Sequence, residues 1–457
     1  MKFSKVLIAV RLIRACARLG LRSVAVYSDA DVDALHVQLA DEAVNIGPPE
    51  ARASYLDGDK IIDAARLTGA EAIHPGYGFL AENAGFASRC VEAGLVFVGP
   101  SPDAIATMGD KIEAKRIAIG AGVECVPGYH GDDQSDEGLL REAEKIGMPL
   151  LIKASAGGGG RGMRRVDELN TVVENLSLAR QEAQAAFGDP KLLLERYVES
   201  PRHIEVQIMA DQHGNVRHLF ERDCSVQRNY QKIIEEAPAP SLPSELRQQI
   251  LESAVKLAVT IGYDSVGTIE FIVDAATGHA FFLEMNTRLQ VEHPVTEMIT
   301  GIDLVEWQLR IAGGDVLSLA QDDIVCKGWA MEARVAAENS AENYRAQTGT
   351  ITSYAEPSME GLRIDSGVQQ GSRVTPYYDS LLAKVIAMSV DRETTIQKLD
   401  AGLSRFRIAG VGVNTRYLRD VLHLDDFQAG RHLTSCLREG FPDGWSSSPI
   451  TNTDVAV

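Results

Sequence analysis

The sequence has no apolar stretch near the ~18 residues that a membrane-crossing helix needs, and its opening run, VLIAV, stops at Arg11. That run is also short of the roughly 7–15 apolar residues of a secretory signal. No two cysteines form a CxxC pair: Cys16, Cys90, Cys125, Cys224, Cys326 and Cys436 are scattered. A disulfide framework or a paired-cysteine zinc site is not expected, and the six read as reduced core residues of a cytoplasmic protein. Positive charge is scarce, with 45 Lys plus Arg against 64 Asp plus Glu and a net charge of -19. That balance argues against a general binder of nucleic acid or of an anionic membrane. It leaves room for a local basic pocket that takes a phosphorylated ligand.

What is present is a chain of 457 residues, 45% hydrophobic, enough for about two to four domains. Residues 1–105 alternate strands and helices: KVLIA, a helix to Leu19, SVAVYS, EAVNIG, a helix near 59–68, EAIHPG, a helix near 82–93, and LVFVGP. This pattern predicts an open parallel sheet with helices on both faces. Arg11, Arg14, Arg18 and Arg22 give the first helix the look of a transit peptide, but the strand before it favours an element of the sheet domain. The first joint is odd, because LIA runs straight into VRLIRACARLG where a loop of roughly 2–6 residues is usual.

Residues 106–198 read as linker helices and a lid subdomain: MGDKIEAK, PLLIKAS, a glycine-rich stretch, GMRRV, a helix near 167–187 and KLLLERYV. Residues 199–320 are β-rich with helices near 243–261 and 303–313, and form a third unit. Residues 321–440 form a further, largely β domain with a helix at 392–405. Residues 441–457 are expected to be a disordered tail.

The stretch FFLEMNTRLQVEHPVTEM, 281–298, carries Glu284, Asn286, Arg288, Gln290 and Glu292 at every second position. In an extended chain all five point one way and Met285, Leu289 and Val291 the other. A solvated edge strand alternates too. Acids, amides and an arginine on one face instead suit a site that holds a metal and an anion. Glu270, in GTIEF, and Glu284 lie on apolar strands that a hairpin would make neighbours. Two carboxylates with the Asn286 amide and phosphate oxygens suit Mg²⁺. The stretch ASAGGGGRGM, 154–163, leads into MRRV, so its glycines cap a strand hairpin that can lie over phosphates. It has neither the helix of a Rossmann turn nor the GK[ST] of a P-loop. Lys153 ends an apolar strand, where a lysine is costly unless it meets an anion. Lys232, Arg288 and Arg334 are cations available for a small anion. HPGYGFLAEN, 74–83, is a tight turn at a strand's carboxyl end, where ligands bind in parallel sheets.

MGDK at 108–111, IKASAGGGGRGMR at 152–164, ERDCSVQR at 221–228 and EMNTRLQVEHPVTEMITG at 284–301 together resemble biotin carboxylase. This is the ATP-grasp component of biotin-dependent carboxylases of the acetyl-CoA and propionyl-CoA type. The likeness runs from Lys5 to about Leu437. It implies an α/β and α+β fold: a Rossmann-like preATP-grasp domain, an ATP-grasp fold with a glycine-rich lid, and a biotin carboxylase C-terminal domain. It implies ATP, Mg²⁺ or Mn²⁺, and biotin as a carrier-bound substrate carboxylated by bicarbonate through carboxyphosphate. By the resemblance, Lys111 and Lys153 hold phosphates under a flap of Gly158, Gly159 and Gly160. Met163 packs on adenine, whose edge meets Glu195 and the backbone near Val198, and His203 and Gln227 line the nucleotide pocket. Glu270, Glu284 and Asn286 are the metal ligands. Arg288 and Lys232 clamp bicarbonate beside Gln290 and Val291. Glu292 is the general base, and Arg334 stabilises the biotin enolate. Expected partners are a biotin carboxyl carrier protein, carboxyltransferase subunits and a second copy of the chain, with no nucleic acid and no membrane. A place in fatty acid biosynthesis follows from the acetyl-CoA type.

Three departures stand out. The family has Asn-Arg-Gly-Glu-Ile-Ala between the residues matching Ala9 and Val10, so a strained first joint and a shifted sheet edge are expected. Tyr230 stands where histidine is usual. Residues 336–349 leave the family pattern. The sequence also lacks an Ala-Met-Lys-Met biotin-attachment segment, which puts biotin on another chain. Two other readings stay open: a different ATP-grasp carboxylate–amine ligase, and a carboxylase-like subunit impaired by the shortened joint.

Overall fold

The computed structural model describes residues 2–8, 10–157 and 162–446. Its first part is a five-stranded parallel sheet in the order Glu42–Gly47, Arg22–Ser28, Lys5–Ile8, Ala72–Ile73, Val96–Phe97. The shortened joint therefore follows the central strand of this sheet and not an edge. Lys5–Ile8 keeps parallel partners on both sides, with Val6 level with Ser23 and with Ala72. The first helix, Val10–Leu19, begins two positions after the strand ends. Ala9, on which the expected strain would fall, lies outside the described residues. The arginine-rich helix is an element of this domain, with Leu12, Ile13, Ala15 and Cys16 buried.

A second sheet has four strands in the order Gly128–Tyr129, Leu192–Arg196, Leu150–Ala154, Arg164–Val166. Helices Asp136–Ile146 and Val172–Phe187 supply Leu139, Ala143, Leu176 and Ala179 to its core. Leu150–Ala154 and Arg164–Val166 pair antiparallel, so the strands around the glycine-rich stretch form the expected hairpin. Gly158, Gly159 and Gly160 lie outside the described residues.

The third sheet has eight strands, ordered Ala280–Asn286, Val266–Asp274, Pro201–Ala210, Val216–Arg228, Gln231–Ala237, Trp329–Ala336, Leu381–Ser389, Leu362–Ser366. It runs unbroken across residues 320 and 321, because Gln231–Ala237 pairs with Trp329–Ala336. One hydrogen-bonded surface thus carries side chains from both halves of the chain to one cleft. Alternation sorts its contents: Ile204, Val206 and Ile208 pack under helix Ser244–Thr260, while Glu205 and Gln207 face the other way.

Phe441 and Trp445 correct the expectation of a disordered tail over 441–446. Both pack on Tyr417, and the Trp445 indole donates to Asp420 at 2.8 Å. Residues 447–457 lie outside the described residues.

Behind the third sheet, Asp223 is fully buried, 2.6 Å from the Arg202 guanidinium and 3.4 Å from the His432 ring. Burial alone would raise its carboxyl pKa, but His432, Arg202 and the Ser225 side chain hold it far below the usual carboxylate value. The folded state then binds fewer protons there than the unfolded chain. The stabilisation is present above pH ~4 and is lost as pH falls through the folded value. Asp223→Asn should lower stability at neutral pH by about 3 kcal/mol. It should also flatten the acid side of the stability profile, read by denaturant unfolding at a series of pH values. An acid limb as steep as that of the unaltered protein would remove Asp223 as a source.

Candidate active site

The hairpin of Val266–Asp274 and Ala280–Asn286 sets Glu270 directly opposite Glu284, and Thr268 opposite Asn286. Cross-strand partners share a face, so the two acids lie side by side above an apolar layer that includes Phe271 and Phe282. Regular strand ends at Asn286. Residues 287–292 are irregular, and helix His293–Thr300 follows. The expected alternation therefore holds only as far as Asn286, and side-chain contacts place the rest. Arg288 is held by Glu82 at 2.9 Å and by the Asn286 oxygen at 2.8 Å. Gln290 accepts from Arg222 at 2.8 Å and donates to Glu270 at 2.9 Å. Both ends of its amide are thus hydrogen-bonded within the protein.

Lys232 is the hub. Its ammonium lies 2.5 Å from Glu205, 2.8 Å from Glu270 and 2.7 Å from Glu292. Burial would lower its pKa, and the three carboxylates carry it well above the usual lysine value. Arg334 meets Glu235 at 2.6 Å and Glu292 at 3.0 Å. For Glu292, burial raises the carboxyl pKa, but Lys232, Arg334 and Arg222 together drive it far down. Glu292 is thus an ionised group held between two cations. Drawing those cations away would raise its basicity.

The acids suit a hard cation in different degrees. The Glu270 Oε1 already accepts from Lys232, Asn286 and Gln290, and its Oε2 lies 3.0 Å from His203. Glu284 is partly exposed, and its nearest cation is Lys111 at 3.6 Å. Glu284 offers the more open oxygens, with Glu270 beside it, and oxygen ligands of this kind suit Mg²⁺.

Asp110 caps helix Lys111–Gly120, accepting from the Ile112 and Glu113 N–H groups, and takes a 2.7 Å hydrogen bond from Ser155. That bond ties the helix start to the end of strand Leu150–Ala154 and brings Lys111 and Lys153 to one end of the cleft. Lys111 touches the Gly157 carbonyl oxygen. Lys153 is buried and does meet an anion, the Glu195 carboxylate. Glu195 is therefore turned inward, and only its backbone remains for the adenine edge, the place the family resemblance gives it. Met163, Val198, His203 and Gln227 line the same cleft, as does Val291. The cleft measures about 1360 Å³ and gathers every candidate site residue among those described. The hairpin turn at its wall holds Asn229 and Tyr230 at φ 47° and 67°, the paired left-handed geometry of a tight β-hairpin turn.

Four residues that the site uses are not singled out by the sequence pattern. Glu82 sits in the flagged turn 74–83. Glu205 and Arg222 lie on strands that carry several other polar residues, so nothing local marks them out. Lys115 has no distinguishing local pattern. His203 lines the cleft and also sets its ring 3.0 Å from Glu270.

A lid hairpin set beside an acid-bearing antiparallel sheet, with lysines between them, defines an ATP-grasp enzyme. Residues 3–105 match the family model for the biotin carboxylase N-terminal domain, and residues 332–439 match that for the biotin carboxylase C-terminal domain. Residues 110–320 match the ATP-binding domain of the carbamoyl-phosphate synthase L chain. Biotin carboxylase 1 of Bacillus subtilis is 48% identical over 430 residues, 94% of this chain and 96% of that protein. The mitochondrial methylcrotonoyl-CoA carboxylase subunit alpha of rice is 53% identical over 93% of this chain, which spans 58% of that longer relative. Among solved structures, the biotin carboxylase domain dimer of Hydrogenobacter thermophilus 2-oxoglutarate carboxylase, in complex with MgADP, ADP and bicarbonate, superposes with a TM-score of 0.92. It is 45% identical and covers 96% of this chain and 98% of that one. Campylobacter jejuni biotin carboxylase gives a TM-score of 0.93 at 40% identity, covering 96% of this chain and 99% of that one. The chain belongs to the biotin carboxylase family of ATP-dependent ligases. Among the described residues no helix is long and apolar enough to cross a membrane.

Proposed function

We propose that this chain uses ATP and bicarbonate to carboxylate biotin presented by a carrier. The observation that carries this reading is the Lys232 hub: one cation joins the acid end of the cleft, Glu270, to Glu292, while Arg288 and Arg334 stand on either side. Lys111 and Lys153 neutralise the nucleotide phosphates. Glu284 and Glu270, with Asn286, would hold Mg²⁺, which when bound offsets phosphate charge. Arg288 and Lys232 position bicarbonate beside Val291, and Glu292 takes its proton. The bicarbonate oxygen then attacks the γ-phosphorus, ADP leaves, and carboxyphosphate forms. The C–O bond of carboxyphosphate then breaks, the departing phosphate takes the N1 proton of biotin, Arg334 stabilises the resulting anionic ureido oxygen, and N1 takes the carboxyl group. Charge neutralisation and positioning are what such transfers need.

The Hydrogenobacter structure, a dimer in complex with MgADP and bicarbonate, supports the ligand set and a homodimer here. A biotin carboxyl carrier protein and a carboxyltransferase complete the reaction, and the latter chooses the acyl-CoA. An acetyl-CoA carboxylase role in fatty acid biosynthesis is one placement; the methylcrotonoyl-CoA carboxylase relatives favour a branched acyl-CoA as another. A cytoplasmic placement rests on the six cysteines being free.

ADP release by the purified chain with MgATP should depend on bicarbonate and rise with free biotin. Nucleotide binding without that stimulation would favour an impaired subunit. ATP-dependent ligation of an amine would favour another ATP-grasp ligase. Arg288→Gln and Lys232→Gln should each raise the bicarbonate KM by about 100-fold and that for ATP by less than about fivefold. The reverse pattern would move both residues to the nucleotide.

A further inference from the structure

A third lysine lines the nucleotide end of the cleft and has no part in the reaction just described. Lys115 lies one turn beyond Lys111 on helix Lys111–Gly120 and is 2% exposed. Its ammonium sits 2.5 Å from Glu195 Oε1, as a close ion pair without good hydrogen-bond angles. It also lies 3.4 Å from the Phe282 carbonyl oxygen. The other Glu195 oxygen meets Lys153. One buried carboxylate therefore bridges two buried lysines, and the cluster carries a surplus positive charge at the cleft wall. Burial pushes the Glu195 carboxyl up, and Lys115 and Lys153 outweigh it and bring it to about 2, so the carboxylate stays ionised.

A carboxylate with only Lys153 as partner would hold it tightly. Moving Lys153 to a phosphate would then strand a buried anion, which is costly. With Lys115 in place the anion keeps a partner after Lys153 leaves. Lys115 is itself anchored on the Phe282 backbone of the neighbouring strand.

We propose that Lys115 is a positioning residue for nucleotide binding: the resident counter-ion of Glu195, which leaves Lys153 free to pass from that carboxylate to a phosphate of ATP. This rests on the cleft being the nucleotide site. The effect falls on phosphate-bearing ligands, because only these draw on Lys153.

The test is equilibrium binding of ATP and of adenosine to the full chain and its variants. Lys115→Met should raise the ATP dissociation constant about 30-fold and that for adenosine less than about twofold. In turnover the loss should appear in the ATP KM more than in kcat. Lys115→Arg should retain most of the affinity. In the double variant Lys115→Met/Glu195→Gln, the carboxylate no longer competes for Lys153, and ATP affinity should return to within about threefold of the unaltered protein. Glu195→Gln alone should bind ATP at least as tightly as the unaltered protein, and serves if Lys115→Met does not fold. The proposal is overturned if Lys115→Met binds ATP normally, if it loses adenosine as strongly as ATP, if the double variant shows no recovery, or if Glu195→Gln alone weakens ATP binding about tenfold. If the unaltered protein binds no ATP, the nucleotide-site reading fails and the proposal with it; normal ATP binding with unmoved variants sinks the proposal alone.

Discussion

Glu292→Gln should lower biotin carboxylation by about 10³-fold, the usual scale for losing a positioned base, while ATP binding stays within about threefold. Glutamine keeps the shape of the side chain, and its one oxygen can still accept from Lys232 or Arg334, so the fold around residue 292 should survive. What it loses is an atom that can take a proton. The structure sharpens this, because Glu292 is 2.7 Å from Lys232 and 3.0 Å from Arg334 and is strongly stabilised as the anion. A carboxylate so stabilised is a poor base. In the proposed mechanism it becomes a better one when bicarbonate takes Lys232 and the biotin ureido oxygen takes Arg334, so basicity would arrive with the substrates. This predicts that ADP release without biotin falls less on Glu292→Gln than biotin carboxylation does. Near-normal carboxylation by the variant would remove Glu292 from the proton transfer and point to a base supplied by a substrate.

How much of this is legible in the residues depends on whether a side chain acts locally. Glu270 and Glu284 are readable as partners because a hairpin turns sequence spacing into register, and the register observed is direct. The lid hairpin is readable because MRRV is too β-prone to open a helix after the glycines. The stretch 287–292 mimics a strand because its polar residues alternate. The chain instead leaves the sheet, and Glu82, Arg222 and Lys232 fix Arg288, Gln290 and Glu292 one by one. Those partners are 206, 68 and 60 residues away, beyond the reach of any local pattern. The same limit hides Lys115, a helix residue whose partner Glu195 comes from a strand of the second sheet. The tail mimics disorder because GWSSS looks polar, although Trp445 has an apolar seat on Tyr417.

Arg222→Met should cost about 4 kcal/mol of stability, near the upper range for breaking one side of a buried ionic network. Arg222 is fully buried on strand Val216–Arg228. Its Nε donates to Glu205 at 2.6 Å, Nη1 to Gln207 at 2.7 Å and Thr296 at 2.9 Å, and Nη2 to Thr268 at 3.1 Å and Gln290 at 2.8 Å. The five N–H groups of a guanidinium thus find five acceptors. Methionine fills much of the volume but leaves these acceptors without a donor, and a buried unpaired polar group costs about 1–3 kcal/mol. The loss stops short of the full sum because Glu205 keeps Lys232 at 2.5 Å. That residual contact makes a second prediction. With Arg222 gone, Glu205 should draw Lys232 more strongly, away from Glu292, and Gln290 should no longer hold Glu270 in place. Activity at saturating ATP should therefore fall further than the loss of folded protein explains. Arg222→Lys should not rescue it, since one ammonium cannot serve five acceptors in a plane. Denaturant unfolding and bicarbonate-dependent ADP release on the same samples decide the matter. An unchanged unfolding midpoint would show that the five contacts add nothing net to stability. A full rescue by lysine would show that charge alone, and not the planar fork, sets the floor of the site.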